Sequence, residues 1–544
     1  MPNILAEKIR GLFSQRDIYV RNVDVKSYPG EVIAVVHVPE DQFSDALSVA
    51  SDVDDDDDNI LITVKKYKDI DKPKYNSVKD VFDDRITSLI ALLSEKSRVS
   101  EGNPSLKYIR DINQNLDLCM TPRHHLIFGR RGVGKSALMV EANRILRDRG
   151  AHTVWINLQT LRNQASLDAF ITIVQKLLDL PLVYWASKER PPASSHQAGR
   201  LKEMFSGLLV REDKTVQAVA KHIPEIQSCL HLFTEETQQP IYIFLDDIHY
   251  ISMAELPTQL DLIHGISRDS NIWIKASGIR HQARWFSDDP PVGLQIGHDA
   301  AEIDLDITLE EPTKARNFLL GILRTYLDDC HLSGTTNFIA STALDRLVLA
   351  SGAVPRDYLN LAALALQAAR ERENARTTGV QDVNKAAGNA ADHKLKELED
   401  DAASAIGHAQ ARMETLSKLE NYLLYDVKTT YFRIDFRSKE KYPQEYSLLQ
   451  SLMDLRMVHL IASSISDEHK AGHRSEVYML DLSRFTGSRL KQKLTVLDFN
   501  KNIIVTKRTG TKEPPKEGKT SRAVLGILRR APELPLEMLE QPQA

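Results

Sequence analysis

The sequence predicts an α/β protein in which a parallel-sheet core is followed by an all-helical segment and then by a small module of helices and strands. Three observations support this prediction. A short apolar run leads through the glycine-rich segment GRRGVGKS into a helical pattern. A second apolar run, IYIFL, ends in two aspartates, as a buried parallel strand does at a polar sheet edge. From residue 309 onward, hydrophobic residues recur with helical spacing.

The composition is that of a water-soluble globular protein. The chain has 544 residues, with 42% hydrophobic and 27% charged, and this length predicts about three or four domains. No run reaches the roughly 18 apolar residues of a membrane span, and the first residues lack a signal-peptide core. Three widely spaced cysteines exclude a disulfide framework and a Cys-only zinc site. We therefore expect a cytoplasmic protein that has no membrane partner.

The first 75 residues are predicted to form a small α/β unit, for which the sequence indicates no chemistry. Helix and strand patterns alternate there over residues 4–14, 17–25, 31–38, 40–51 and 60–66. The acidic run DVDDDDD at 52–58 lacks the glycine and the distal glutamate of a calcium-binding loop. We expect a solvated acidic turn there rather than a Ca²⁺ or Mg²⁺ site, because runs of like charge are hydrated.

The segment GRRGVGKS fits the phosphate-binding pattern G-x-x-x-x-G-K-[ST]. It lies between an apolar run and a helical pattern, so that a glycine turn meets a helix N-terminus, which is an anion site. Lys135 is expected to reach the β- and γ-phosphates of ATP, and the Ser136 hydroxyl to bind Mg²⁺. The predicted nucleotide-binding residues are Gly129, Arg130, Arg131, Gly132, Val133, Gly134, Lys135, Ser136 and Ala137.

Two later strands carry polar residues toward the same edge. The strand IYIFL leads to Asp246, which is expected to hold Mg²⁺, and to Asp247, a base that can polarise the attacking water. The strand NIWIKA ends at Ser277, which is suited to orienting water or sensing the γ-phosphate. Arg280 lies just beyond it. We expect Arg280 either to contact phosphate, in its own site or a neighbour's, or to be a solvated surface arginine.

Arg356 falls in the first turn of the third helix predicted after residue 309. A cation in that position opposes the helix macrodipole, so a compensating anion is expected, and a nucleotide phosphate would serve.

These segments together resemble AAA+ ATPases, in particular the origin-recognition and initiator (ORC–CDC-like) branch and its relatives among the STAND signalling ATPases. The resemblance covers residues 104–388, through GRRGVGKS, IYIFLDD, GAVPRDYLNLAALAL and TTGVQDVNKAAG, and extends more weakly to about residue 485. It implies that the helical segment is a lid, that Arg356 contacts the γ-phosphate as sensor 2, and that Ser277 is sensor 1. AAA+ proteins usually have Asp-Glu where this chain has Asp246-Asp247, which indicates slow hydrolysis and is closer to the STAND pattern.

The C-terminal end is predicted to be a DNA-binding winged helix followed by a basic tail. A helical pattern over 446–457 and strand patterns over 458–465 and 474–482 give the winged-helix order. Residues 484–530 hold 13 Lys or Arg against three acids, a net charge of +10, which attracts phosphate backbones. The tail composition predicts partial disorder. The alternatives to DNA binding are that the tail is a solubilising linker and that the winged helix contacts protein.

The predicted organisation has six parts. They are a small N-terminal α/β domain (1–75), a linker helix (76–103), the P-loop ATPase core (104–308), a helical lid (309–400), a winged-helix domain (401–485) and the basic, partly disordered tail (486–544).

Two functions stay open at this point. The first is an ATP-binding and ATP-hydrolysing protein that binds DNA and assembles into a homo-oligomer when ATP is bound. The second is a STAND-like nucleotide switch, in a bacterial stress or antiviral (phage-defence) system, that holds a protein effector as its partner. A kinase or a metabolic P-loop enzyme is disfavoured, because the lid and Arg356 have no role there.

Overall fold

The computed structural model describes residues 2–14, 22–28, 31–39, 60–67, 78–95, 114–402, 406–467, 472–486, 493–500, 503–510, 516–517 and 521–540, together with isolated residues between them. It contains two compact units, Met1–Asn76 and Ser77–Ala544. Among the described helices, none is long and apolar enough to cross a membrane.

In the described part of the N-terminal unit, a helix at its start packs against a three-stranded sheet. Strand β2 pairs antiparallel with β1 and parallel with β3, and buried side chains such as Phe13 and Val36 join the helix to the sheet. The predicted acidic turn at 52–58 lies outside the described residues. The elements are α1 (Pro2–Ser14), β1 (Asn22–Tyr28), β2 (Glu31–Pro39) and β3 (Ile60–Tyr67).

Helix α2 (Asp84–Glu95) is shorter than the linker helix predicted within residues 76–103. The backbone before it is bonded elsewhere, because the N–H groups of Val78 and Val81 donate to carbonyls of the all-helical segment at 3.3 and 2.9 Å. The Asp83 carboxylate then accepts the Arg85 N–H at 3.1 Å and starts the helix. The buried face of α2 packs with the all-helical segment, so it is part of that core and not a bridge between domains.

The second unit is built around a five-stranded parallel sheet with the order β10-β4-β7-β6-β5. Strands β4 and β6 are buried along their whole length, as continuous apolar runs in a parallel sheet are. Strand β7 runs to Gly278, so Ser277 lies inside the strand and not just after it. The strands are β4 (His124–Phe128), β5 (His152–Asn157), β6 (Ile241–Asp246), β7 (Ile272–Gly278), the short hairpin β8 (Phe286–Asp288) and β9 (Pro291–Gly293), and β10 (Ala300–Asp304).

Helices cover both faces of this sheet. Side chains alternate between the faces along each strand: Ile127 packs on one side, whereas its neighbours Leu126 and Phe128 pack on the other. The helices are α3 (Asn115–Met120), α4 (Lys135–Asp148), α5 (Ser166–Tyr184), α6 (Ala193–Leu209), α7 (Val216–Ala220), α8 (Ile223–Thr237) and α9 (Leu256–Ser267).

The predicted lid is all-helical, and the start of its third helix contacts the glycine-rich turn. The N–H of Arg356, in the first turn of its third helix, donates to the Gly132 carbonyl at 3.2 Å. The lid is therefore attached directly to the glycine-rich turn. Its helices are α10 (Pro312–Asp329), α11 (Ser341–Ala350), α12 (Pro355–Arg370) and α13 (Val380–Ala402).

The C-terminal module has the predicted winged-helix arrangement of helices and a β-hairpin. Its antiparallel sheet has the order β11-β13-β12. The polar loop predicted at 466–473 lies partly outside the described residues. The elements are α14 (Ile406–Asn421), β11 (Tyr431–Asp435), α15 (Phe436–Lys441), α16 (Pro443–Asp454), β12 (Val458–Ser466) and β13 (Arg474–Leu480).

The described residues of the tail are folded, and the prediction that the tail is partly disordered stays untested for the rest of it. The described residues include an antiparallel sheet and a helix, and Leu494, Val496 and Leu534 are buried in the same core as the lid. Asp498 also forms an ion pair with the buried Arg346 of α11 at 2.7 Å. Apolar residues spaced between the basic ones anchor the segment. Its elements are β14 (Thr495–Asn500), β15 (Ile503–Arg508), β16 (Lys516–Glu517) and α17 (Ser521–Arg529).

The packed tail leads to a stability prediction. Leu534 is 0% exposed, and replacing a buried leucine by alanine costs about 2–5 kcal/mol through lost burial and the cavity left behind. Leu534→Ala should therefore lower the thermal unfolding temperature, whereas Leu525→Ala, at a leucine that is 38% exposed in the same tail, should change it little. Equal unfolding temperatures for the two variants would contradict a packed tail.

Candidate nucleotide-binding site

The turn between β4 and α4 adopts a backbone that suits glycine. Gly132 and Gly134 have φ values of 84° and 109°, in the left-handed region that other residues avoid. A Cβ atom at Gly132 would also meet the Arg356 Cβ at 2.9 Å, whereas a Cβ at Gly134, the N-cap of α4, would meet nothing within 4 Å. The turn therefore leaves open space at a helix N-terminus, which is where phosphate binds.

Lys135 is held beneath this turn. Its side chain is buried, and Nζ donates hydrogen bonds to the carbonyls of Gly129 at 2.8 Å and Arg130 at 3.2 Å. Burial lowers the pKa of this amine, and nearby carboxylates, with Asp247 the strongest, oppose the shift. The predicted phosphate lysine is thus a buried cation in an acidic surrounding.

Arg130, predicted among the nucleotide-binding residues, is bonded to the end of β10. Its backbone N–H donates to the Asp306 carboxylate at 3.1 Å, and Nε donates to the same group at 2.9 Å. Its Nη2 donates to the Ile307 carbonyl at 2.9 Å and to the Gly352 carbonyl at 3.3 Å. Through these bonds, Arg130 connects the glycine turn to the sheet edge and to the lid.

The other predicted residues of this segment divide between core and site. Val133 is buried in the core on one face of the sheet. Ser136 and Ala137 are half-buried in the first turn of α4. Arg131 is half-buried, and its charge acts on Asp247. Ser136 and Arg131 therefore stay on the accessible side of the turn.

Ser277 joins the two aspartates at the end of β6. Its hydroxyl donates to Asp246 Oδ1 at 2.5 Å and accepts the backbone N–H of Asp247 at 3.1 Å. The parallel register of β6 and β7 brings the three residues together. The predicted metal ligand, base and sensor therefore form one hydrogen-bonded group at the sheet edge beside the glycine turn.

Asp247 occupies an environment that raises its basicity. It has a φ of 61°, a left-handed conformation that is strained for most residues other than glycine. Burial, together with the neighbouring Asp246, raises its pKa to about 6, although Lys135 and Arg131 oppose this. A carboxylate with a raised pKa is a better proton acceptor.

The two predicted arginines have different surroundings. The charge of Arg356 acts on Asp247, and its backbone is bonded to the glycine turn, so Arg356 lies at the site. Arg280 is ion-paired with Glu302 and lies 3.7 Å from Asp304, and its guanidinium is 4.7 Å from the centre of the Phe128 ring. Arg280 is thus paired at the outer edge of the sheet and is not the solvated arginine of the sequence-based alternative.

The residues of this site are chemically suited to bind a nucleotide together with Mg²⁺. Within the described part of the chain, no group of three or more His, Cys, Asp or Glu forms a metal site by itself. Mg²⁺ is usually held by one or two carboxylates together with phosphate oxygens and water. Asp246 and the Ser136 hydroxyl supply such a partial set, so they would hold the ion with the phosphates.

Several residues of the site were not predicted from the sequence. Asp306 follows β10, and the argument applied to the polar ends of β6 and β7 would have found it. His249, whose Nδ1 is 3.8 Å from Asp247 and whose pKa burial holds well below its usual value, has no motif to mark it. Asp454, whose charge acts on Lys135, lies in a helix predicted to read DNA.

Two solved structures are similar to this chain at low identity. One is the Aeropyrum pernix ORC1 protein in complex with DNA, which is 13% identical with a TM-score of 0.32, over 75% of this chain and 90% of that one. The other is Drosophila ORC bound to DNA, which is 12% identical with a TM-score of 0.22, over 73% of this chain and 92% of that one. Similarity at this level does not establish a common activity.

A match to a family model is more specific. No curated protein matches the chain. Residues 109–274 match the family described as "AAA ATPase domain", and this range contains the glycine turn, Asp246 and Asp247. Residues 109–274, which hold the candidate nucleotide site, are therefore similar to an AAA ATPase domain.

Proposed function

We propose that this protein binds and slowly hydrolyses ATP. The observation that carries the proposal is the convergence of the glycine turn, Lys135 and the Asp246–Ser277–Asp247 group at one edge of a parallel sheet. Phosphoryl transfer is catalysed mainly by positioning and by charge stabilisation, and this edge offers both.

Each side chain has a distinct part in the proposed reaction. Lys135 leaves the carbonyls of its turn and neutralises charge on the β- and γ-phosphates, where Mg²⁺ adds further neutralisation when bound. Asp247 accepts a proton from the attacking water, and Ser277 keeps Asp246 and Asp247 in register. Arg356 couples the terminal phosphate to the lid. The short Asp247 side chain accounts for slow turnover.

The proposal includes DNA binding and ATP-dependent assembly into a homo-oligomer, as in the initiator branch that the sequence resembles. Its support is the net charge of +10 over residues 484–530, since a local excess of Lys and Arg binds phosphate backbones by releasing counterions. Lys507 and Arg508 are exposed on β15. Arg456, at the end of the helix predicted over 446–457, is buried and paired with Asp357 at 2.5 Å, so this arginine is not available to DNA.

A second function, the STAND-like switch that holds an effector protein, has one observation in its favour. The lid and the C-terminal module are joined by buried ion pairs, Arg456–Asp357 at 2.5 Å and Lys394–Asp481 at 2.9 Å. Asp357 follows Arg356 directly, so a phosphate contact at Arg356 would act on the module. This arrangement suits a protein that changes shape with its nucleotide, whatever partner it holds.

The catalytic assignment predicts different outcomes for two variants. Lys135→Ala should abolish ATP binding, because it removes the charge that faces the phosphates. Asp247→Asn should keep binding and reduce hydrolysis by about 100-fold or more, the usual range for loss of a general base. Calorimetry and phosphate release measure the two effects, with the exposed Lys314→Ala as a control. Hydrolysis at the parental rate in Asp247→Asn would contradict the assignment of the base.

The role of Arg356 predicts a loss of discrimination between nucleotides. Arg356→Ala should bind ATP and ADP with nearly equal affinity, because the residue is expected to contact only the γ-phosphate, and a shape change requires such differential binding. Calorimetry with both nucleotides tests this, and Arg370→Ala, at the other end of α12, is the control. An unchanged preference for ATP would remove Arg356 from the site.

DNA binding is predicted to depend steeply on salt. If about five phosphates are neutralised, log K should fall with a slope of about −4.5 against log salt. The pair Lys507→Gln and Arg508→Gln should make this slope shallower by about 1.8 for every duplex sequence alike, because phosphate contacts carry no sequence information. The control pair, Lys188→Gln and Arg190→Gln, removes equal charge from an exposed loop of the ATPase core. Fluorescence anisotropy and gel filtration, each with and without ATP, measure binding and assembly. If the protein bound no duplex at low salt, the DNA-binding function would be excluded and the STAND-like switch would be the function that stays open.

A further inference from the structure

Helix α16 brings a buried carboxylate from the C-terminal module to the nucleotide site. Asp454 is the last residue of α16 and is 3% exposed. The charges that act on it belong to Asp306, to Lys135 and Arg130 of the glycine turn, and to Arg412 of α14. Charges from three elements of the site, namely the turn, the first residue of α4 and the segment after β10, thus act on a carboxylate of the C-terminal module.

The packing of α16 agrees with this position. The helix lies against the short turn Arg280–Gln282 that follows β7. Just beyond the helix, the His459 ring packs so closely on Gly352 that a Cβ atom there would collide with it, and Gly352 accepts a hydrogen bond from Arg130. The C-terminal module is therefore seated against the same sheet edge that holds Asp246 and Ser277.

Asp454 lacks the full set of hydrogen bonds that a buried structural carboxylate usually accepts. Its Oδ2 atom is buried and accepts no hydrogen bond from any described residue. Burial raises its pKa to about 7, and Asp306 adds to this, whereas Lys135 and Arg130 oppose it. Asp481 of the same module is equally buried but accepts bonds from Lys394, His459 and Ser483. An incompletely bonded buried carboxylate is costly, and its presence calls for an explanation.

The cations near Asp454 supply that explanation. Lys135 and the N-terminus of α4 form a site whose partner is an anion, and Asp454 is a buried carboxylate of the C-terminal module on which the charge of Lys135 acts. We propose that Asp454 acts as an internal anion that holds the C-terminal module against the glycine turn, and that the phosphates of a bound nucleotide displace it. This inference rests on the proposed nucleotide binding and adds a residue of the module to that site.

The displacement follows from electrostatics. Phosphates carry more negative charge than one carboxylate, and like charges repel strongly where burial has removed water. The seated module therefore opposes nucleotide binding, and a nucleotide favours the state in which the module has moved away. A ligand shifts such an equilibrium only by the difference in its affinity for the two states. Asp454 provides that difference.

The first test compares two variants of α16. Asp454→Asn keeps the shape of the side chain and removes its charge, so ATP should bind about tenfold more tightly, because the competing seated state loses its anion. Glu445→Gln removes one charge from the first turn of the same helix, away from the site, and should bind ATP as the parent does. Calorimetry with a non-hydrolysable ATP analogue measures both. Equal affinities for the parent and Asp454→Asn would overturn the proposal, whereas a parent that binds no nucleotide would overturn the proposed function instead.

The second test needs no variant, and so does not depend on whether Asp454→Asn folds. Hydrogen–deuterium exchange is followed in the full-length chain with and without the same analogue. Peptides covering residues 443–457 should exchange faster when the analogue is bound, because the module leaves the glycine turn, whereas peptides of α9 should not change. Unchanged or slower exchange over residues 443–457, in a sample that binds the analogue, would overturn the proposal.

Discussion

The buried ammonium group of Lys135 is the charge on which the arrangement of the nucleotide site depends. A cation removed from water must be surrounded by acceptors and opposite charges. Lys135 satisfies this with two carbonyls of its own turn and with carboxylates from three other parts of the fold. Charges at the end of β6, in the segment after β10 and at the last residue of α16 all act on it. These carboxylates are Asp247, Asp306, Asp246 and Asp454.

A second group of buried charges joins the lid to the C-terminal module. Although burial alone would raise the pKa of Asp481, Lys394 and His459 hold it well below its usual range. Arg456 and Lys394 similarly lower the pKa of Asp357 against the effect of burial. Arg356, the residue before Asp357, donates its backbone N–H to the Gly132 carbonyl. A short path of direct contacts therefore leads from the glycine turn through α12 to the C-terminal module.

The sequence predicted well whatever a local pattern determines. GRRGVGKS and the apolar runs located β4, α4, β6 and β7, and the parallel order then brought Asp246 and Ser277 together. The sequence did not predict features that distant parts of the chain decide. The packing of the described part of the basic tail was not predicted, because its charges conceal Leu534 and the other buried side chains. The buried ion pair of Arg456 was not predicted either, because its partner, Asp357, is 99 residues away.

The cost of separating charges indicates which parts of the second unit move together. Asp357, Asp481, Lys394 and Arg456 form a balanced set, and removing a partner from such a buried set leaves an uncompensated charge, which is strongly destabilising. Separating the lid from the module would break the ion pairs of all four side chains. Parting α16 from the glycine turn breaks no hydrogen bond at Asp454 Oδ2, which bonds to no described residue, and so costs less than parting the lid from the module. The lid and the module are therefore expected to move as one body, and the movement is expected at their contact with the ATPase core.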